Sequence, residues 1–146
     1  MIYWITGRAG AGKTTKAVSL RCELHMQGCL DVVILDGDVV RMFFPAGYTN
    51  EEREAHIMHT AKIAALLELQ GFTVIIAMIS PKKKWRMEAR KLFSCSELIY
   101  IPGGTLWPGT EYEEPDREEL AINYSNLNNK GGYYEGKSQG VGKDGK

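Results

Sequence analysis

Eight residues near the start of the chain, Gly7-Arg8-Ala9-Gly10-Ala11-Gly12-Lys13-Thr14, constrain what it can fold into more than any other feature. They read G-x-x-x-x-G-K-T and stand between an apolar run at residues 2–6 and an amphipathic pattern that begins at Thr14. A strand leading in and a helix leading out is the context in which this motif cradles phosphate. The glycines let the backbone curl until successive N–H groups point at phosphate oxygens, and the helix N-terminus adds partial positive charge. Lys13 would reach the β- and γ-phosphates of a nucleotide, the Thr14 hydroxyl would ligate Mg2+, and Thr15 follows in the same turn.

Three further apolar runs, at residues 32–36, 73–80 and 98–101, lack alternation, as strands covered on both faces should, and a fifth strand is expected at 120–124. Helical patterns fill the gaps. Residues 14–27 carry Ala17, Leu20 and Leu24 on one face and stop at Gly28, Thr49 to Glu52 has capping-box spacing ahead of an Ala- and Leu-rich stretch ending at Gly71, and a third helix is expected at 83–93. Strands alternating with helices predict an α/β P-loop NTPase fold, a three-layer sandwich with a mostly parallel sheet of four or five strands and helices on both faces. The domain is expected to span residues 1–127. Residues 128–146 hold six Gly, four Lys and the single aliphatic Val141, a composition expected to stay unstructured.

Eighteen basic residues balance eighteen acidic ones, which removes any chain-wide electrostatic case for nucleic acid. Cys22, Cys29 and Cys95 form no C-x-x-C pair, so neither a disulfide framework nor a cysteine zinc site is indicated. No run approaches the length of a membrane helix and no leader is evident, so a cytoplasmic protein without a membrane partner is expected.

The second strand ends in Asp36-Gly37-Asp38, two carboxylates at the carboxyl edge of the sheet, where α/β folds bind ligands. Asp36 can orient Mg2+ or take a proton from an attacking hydroxyl, and Asp38 can position that acceptor; alternatively, one of the pair caps the next short helix. Arg41 follows Asp38 by about one helical turn, a placement suited to a phosphate or sulfate, with a surface ion pair as the alternative. A guanine-specific N-K-x-D is missing, since Asn129-Lys130-Gly131-Gly132 lacks the aspartate. Size and the D-G-D strand fit a small-molecule kinase.

In order along the chain, G-R-A-G-A-G-K-T-T, L-D-G-D-V-V-R, G-Y-T-N-E-E-R-E-A-H-I, M-I-S-P and T-E-Y-E-E-P resemble the signatures of adenylylsulfate (APS) kinases. The resemblance runs to about residue 124. It implies ATP and Mg2+ as cofactors, with the γ-phosphoryl group passing to the 3′-hydroxyl of adenylyl sulfate. By the same resemblance, residues 7–15 bind the nucleotide, Thr14 and Asp36 hold the metal, and Asp36, Lys13 and Asp38 are catalytic. Asp38, Arg41, Tyr48, Arg53, His56, Ile57, Ser80 and Pro81 would contact adenylyl sulfate, and the family tends to form homodimers.

The departures matter too. Tyr48 stands in place of a phenylalanine and His56 in place of an asparagine, while Val39, Met58 and His59 also depart from the family pattern. After residue 101 the lid segment with its Arg-Asp pair is missing, which implies slow or uncoupled turnover unless Arg8 or Lys82, Lys83 and Lys84 supply the charge. Two alternatives therefore stay open: another nucleotide or polynucleotide acceptor, or a regulatory nucleotide-binding module. His56 and His59 are read as helix surface, Trp4 as core, and Trp85 and Trp107 as packing residues, with flanking of the nucleotide as the alternative; the basic stretch 82–91 and acidic stretch 111–119 are treated as ordinary surface, with pairing across the fold or between protomers as the alternative.

Overall fold

The computed structural model describes residues 1–122 together with the backbone of a short strand at Tyr124–Ser125. The segment 128–146 and the domain end at 127 lie outside the described residues. Five strands, β1 (Ile2–Thr6), β2 (Val32–Asp36), β3 (Thr73–Ala77), β4 (Cys95–Tyr100) and β5 (Tyr124–Ser125), form one sheet in the order β2-β3-β1-β4-β5. The first four are parallel, and β5 runs antiparallel to β4. This is the expected α/β sandwich.

The lack of alternation in the strands follows from what covers them. Ile2, Trp4, Val74 and Ile76 pack on one face against α3 (Asn50–Leu69) and α4 (Lys83–Arg90), through Ile57, Ala61, Trp85 and Ala89. Ile5, Ile75 and Ala77 pack on the other against Ala17, Leu20 and Leu24 of α1 (Lys13–Met26). Each strand residue meets a helix on its own side, so both must be apolar. Thr49 caps α3 as expected: its Oγ1 accepts the Glu52 amide at 3.2 Å and donates to Glu52 Oε1 at 2.9 Å. Gly28 and Gly71, just past α1 and α3, have φ of 89° and 95°, the left-handed stop that glycine makes without penalty. Cys22, Cys29 and Cys95 are free thiols, and among the described residues no helix is long and apolar enough to cross a membrane.

Three boundaries differ from the sequence reading. β3 ends at Ala77 rather than Ser80, because Ser80 takes a left-handed φ of 50° and turns the chain out of the sheet. β4 begins at Cys95, three residues before the apolar run, because Ser96 is fully buried and bonded to Arg90. Of the strand expected at 120–124, Leu120 and Ala121 end α5 (Arg117–Ala121), capped where Asp116 Oδ1 accepts the Glu119 amide at 2.7 Å, while Tyr124 opens β5.

The charged stretches are not ordinary surface. Lys83 pairs with Asp116 at 2.7 Å and Lys82 with Glu111 at 3.8 Å. Beneath them Arg86 and Glu119, both fully buried, form a two-pronged ion pair at 2.7 and 3.0 Å. Trp4 is core as expected, its ring tilted against Phe93. Trp85 is buried as well.

Candidate active site

At the carboxyl edge of the sheet, a cavity of about 760 Å³ opens between the phosphate loop, the D-G-D turn and the start of α3. The loop supplies Ala9, Gly10, Gly12, Lys13, Thr14 and Thr15 to one end. Gly12 precedes α1 in a left-handed conformation, and no side chain caps the helix, so its first N–H groups remain for an anion. Lys13 Nζ donates to the Arg8 carbonyl at 2.7 Å. Burial pushes the Lys13 pKa down, and the nearby Asp38 and Asp36 carboxylates oppose that shift.

Thr14 and Asp36 meet directly. The Thr14 hydroxyl donates to Asp36 Oδ2 at 2.7 Å, while Asp36 Oδ1 accepts the Asp38 amide at 2.9 Å and so caps α2 (Gly37–Phe43). The capping role therefore falls on Asp36, the metal candidate, and leaves the Asp38 carboxylate without a hydrogen-bond partner among the described residues. Two hard oxygens at this separation fit adjacent positions around Mg2+, whose ligands at about 2.0–2.1 Å place neighbouring oxygens roughly 3 Å apart. Among the described residues no group of three or more His, Cys, Asp or Glu is placed to hold a metal.

The other end of the cavity is cationic and aromatic. Arg41 donates to the Ala46 and Gly47 carbonyls at 2.7 and 3.2 Å, and its guanidinium lies 4.4 Å from the Tyr48 ring centre. It thus shapes the loop before α3, and among the described residues it makes no ion pair. Tyr48, 77% exposed, stands at the rim. Arg53 lines the cavity beside Ile57 and has no partner among the described residues. An unpaired guanidinium facing a cleft suits an oxyanion.

His56 corrects the surface reading. It is 5% exposed and lines the cavity, whereas His59 is exposed and packs on the Phe44 ring at 4.7 Å. Burial, followed by the charge of Arg41, lowers the His56 pKa against an opposing bond to the Gly37 backbone and the attraction of Asp38. Because the folded state resists protonation of His56, this residue costs nothing above its ordinary value of 6.5 and destabilises the fold progressively as pH falls below it. Urea titrations from pH 7.5 to 5 are expected to show stability declining across this window, with a smaller decline in His56→Asn; equal declines would assign the effect to other groups.

Gly7, Arg8 and Ala11 are not among the residues that line the cavity, and Arg8 Nη2 lies 3.9 Å from Glu114. Lys82 and Lys83 are held in ion pairs and supply no charge to the site. Ser80 and Pro81 do line the cavity, but the Ser80 hydroxyl is occupied, accepting from Trp4 Nε1 at 2.9 Å and donating to the Met78 carbonyl at 3.3 Å.

The sequence reading also missed a strap. Residues 102–114 pass back over the phosphate loop, with the Thr105 amide donating to the Ala9 carbonyl at 2.8 Å. Gly104 presses so closely that a Cβ there would come within 2.6 Å of the Ala9 carbonyl oxygen. The strap brings Trp107 and Thr110 to the cavity wall, and Trp107 is 62% exposed rather than packed. Its turn residues signalled a loop, but nothing in their pattern showed where the loop lands.

The family model for adenylylsulphate kinase matches residues 1–103. The chain belongs to the adenylylsulphate kinase family. It is 42% identical over 93 residues to an adenylyl-sulfate kinase of Paraburkholderia xenovorans, an alignment that takes in 62% of this chain and 51% of that one. The chain thus spans about half the length of the first curated family members it matches. With a probable adenylyl-sulfate kinase of Pyrococcus abyssi it shares 43% identity over 150 residues, covering 85% of both chains. Among solved family members, the APS kinase of Mycobacterium tuberculosis in complex with AMPPNP and APS superposes with a TM-score of 0.63 at 26% identity, over 68% of this chain and 61% of that one.

Proposed function

We propose that the chain transfers the γ-phosphoryl group of ATP to the 3′-hydroxyl of adenylyl sulfate, forming 3′-phosphoadenylyl sulfate. One observation carries this reading: a single cavity joins a phosphate loop to a second anion-binding end, with Thr14, Asp36 and Asp38 between them. A kinase for a small phosphorylated acceptor needs both ends in one enclosure, since phosphoryl transfer is mostly positioning and charge stabilisation.

Lys13 leaves the Arg8 carbonyl for the phosphate oxygens, where its charge is worth most as the leaving group departs. Thr14 and Asp36 would hold Mg2+, which neutralises charge on the β- and γ-phosphates. Asp36 is committed to Thr14 and to the α2 cap, so the unpartnered Asp38 carboxylate is the group that takes the proton of the attacking hydroxyl. The new O–P bond forms on the acceptor as the bond to ADP breaks. Arg41 and Arg53 hold the acceptor's phosphosulfate, and Tyr48 offers its base an aromatic face.

The test is purified protein with ATP, Mg2+ and a panel of acceptors comprising adenylyl sulfate, nucleoside monophosphates and polynucleotide ends. Appearance of 3′-phosphoadenylyl sulfate alone is the expected result. Phosphorylation of other acceptors only would overturn the substrate, and ATP binding without transfer to any acceptor would favour a regulatory module. Within this scheme, Arg53→Met is expected to raise the KM for adenylyl sulfate about tenfold or more while leaving that for ATP near wild type, as loss of one charged contact to one ligand should.

A further inference from the structure

Buried polar groups that the proposed chemistry does not use hold the turn after β3 from behind. Ser80 is the one non-glycine residue with positive φ among the described residues, and it is buried in the wall of the cavity. An L-residue adopts this conformation at a cost, so surrounding contacts must hold it there. Its carbonyl accepts Arg86 Nη1 at 2.7 Å. The other two guanidinium nitrogens, Nε and Nη2, are fixed on Glu119. Because the fork is planar and rigid, holding two of its nitrogens aims the third.

The rest of the turn is tied as closely. Trp4 Nε1 grips the Ser80 hydroxyl from β1, and Thr6, the residue before the phosphate loop, donates to the Ile79 carbonyl at 2.6 Å. The Tyr112 hydroxyl, 2.8 Å from Thr6 Oγ1, joins the strap to the same point. A buried ion pair contributes little net stability compared with apolar packing, so what this one orients is the more telling feature.

We infer that Arg86 and Glu119 are positioning residues: they lock the Ser80 turn in its left-handed form and thereby set the acceptor-side wall of the cavity relative to the phosphate loop. The identity of the ligand that meets this wall rests on the acceptor reading above.

Glu119→Gln keeps the size of the side chain but removes its charge and one acceptor, so it loosens the fork without emptying the site. The variant is expected to raise the KM for adenylyl sulfate about tenfold, with kcat and the KM for ATP within about twofold of wild type. Glycine adopts the turn freely, so in a Ser80→Gly background the same substitution should change that KM by less than about threefold. Independently of any acceptor, exchange of the Trp4 indole proton, assigned with Trp85→Phe and Trp107→Phe, should quicken about tenfold in Glu119→Gln while the β1 amides keep their protection. Equal shifts in both backgrounds, or a parallel rise in both KM values, would overturn the inference and leave a purely structural ion pair. Should the wild-type protein transfer nothing to adenylyl sulfate, the functional reading falls by itself, and unchanged Trp4 exchange would still refute the positioning role.

Discussion

Lys13→Ala is expected to lower kcat for phosphoryl transfer by about 10³-fold while the protein stays folded. The expectation rests on how little else can replace this charge. Lys13 is the only basic side chain that the phosphate loop brings to the cavity among the described residues, since Arg8 turns toward Glu114. Lys82 and Lys83 are spent on Glu111 and Asp116. Arg41 and Arg53 stand at the acceptor end, and Arg41 is anchored there by two carbonyls and the Tyr48 ring. The enclosure that lowers the Lys13 pKa also strengthens its field at the phosphates, so removal costs more than at a wet surface. Stability should barely move, because Lys13 makes one hydrogen bond to the Arg8 carbonyl, worth about 1 kcal/mol net. Steady-state rates at saturating ATP and Mg2+ beside a urea melt provide the check. A loss of less than tenfold would mean that some other cation reaches the γ-phosphate.

What could be read from the sequence was chemistry confined to a few consecutive residues. The phosphate loop announces itself because strand, glycines, Lys13, Thr14 and helix are contiguous, and the four parallel strands do so because both of their faces are covered. The Thr49 cap was legible for the same reason: its partner is only three residues away. Failures came where a side chain's partner lies far along the chain. Arg86 and Glu119 are 33 residues apart, and each sits in a run of like charge that reads as solvated surface. The fifth strand starts at Tyr124 rather than Leu120, because Leu120 and Ala121 finish a helix whose buried Glu119 reads as solvated from sequence. His56 failed differently. Its place on α3 was legible, but whether that face meets water depends on α2 and Met78, which close over it.

Glu119→Leu is expected to cost about 3–5 kcal/mol, because it strands the fully buried Arg86 guanidinium without the one carboxylate it pairs with among the described residues. A domain of this size has roughly 5–15 kcal/mol to lose, so the variant should sit near the edge of unfolding at 37 °C. Adding Arg86→Met removes the stranded charge and fills the space with apolar volume, which should restore much of the loss. Restoration should stop short of wild type by about 1–3 kcal/mol, because the buried Ser80 carbonyl then loses its 2.7 Å donor and keeps only the Thr6 hydroxyl at 3.5 Å, which already serves Ile79. Urea denaturation of the two single variants and the double variant reads all three quantities. Full recovery in the double variant would show that the carbonyl needs no donor and that the pair exists only to neutralise itself. A double variant no better than Glu119→Leu would place the cost in lost shape rather than in stranded charge. The intermediate result is the one that the shared guanidinium requires, since a single planar group there meets two obligations, one to a carboxylate and one to a strained turn.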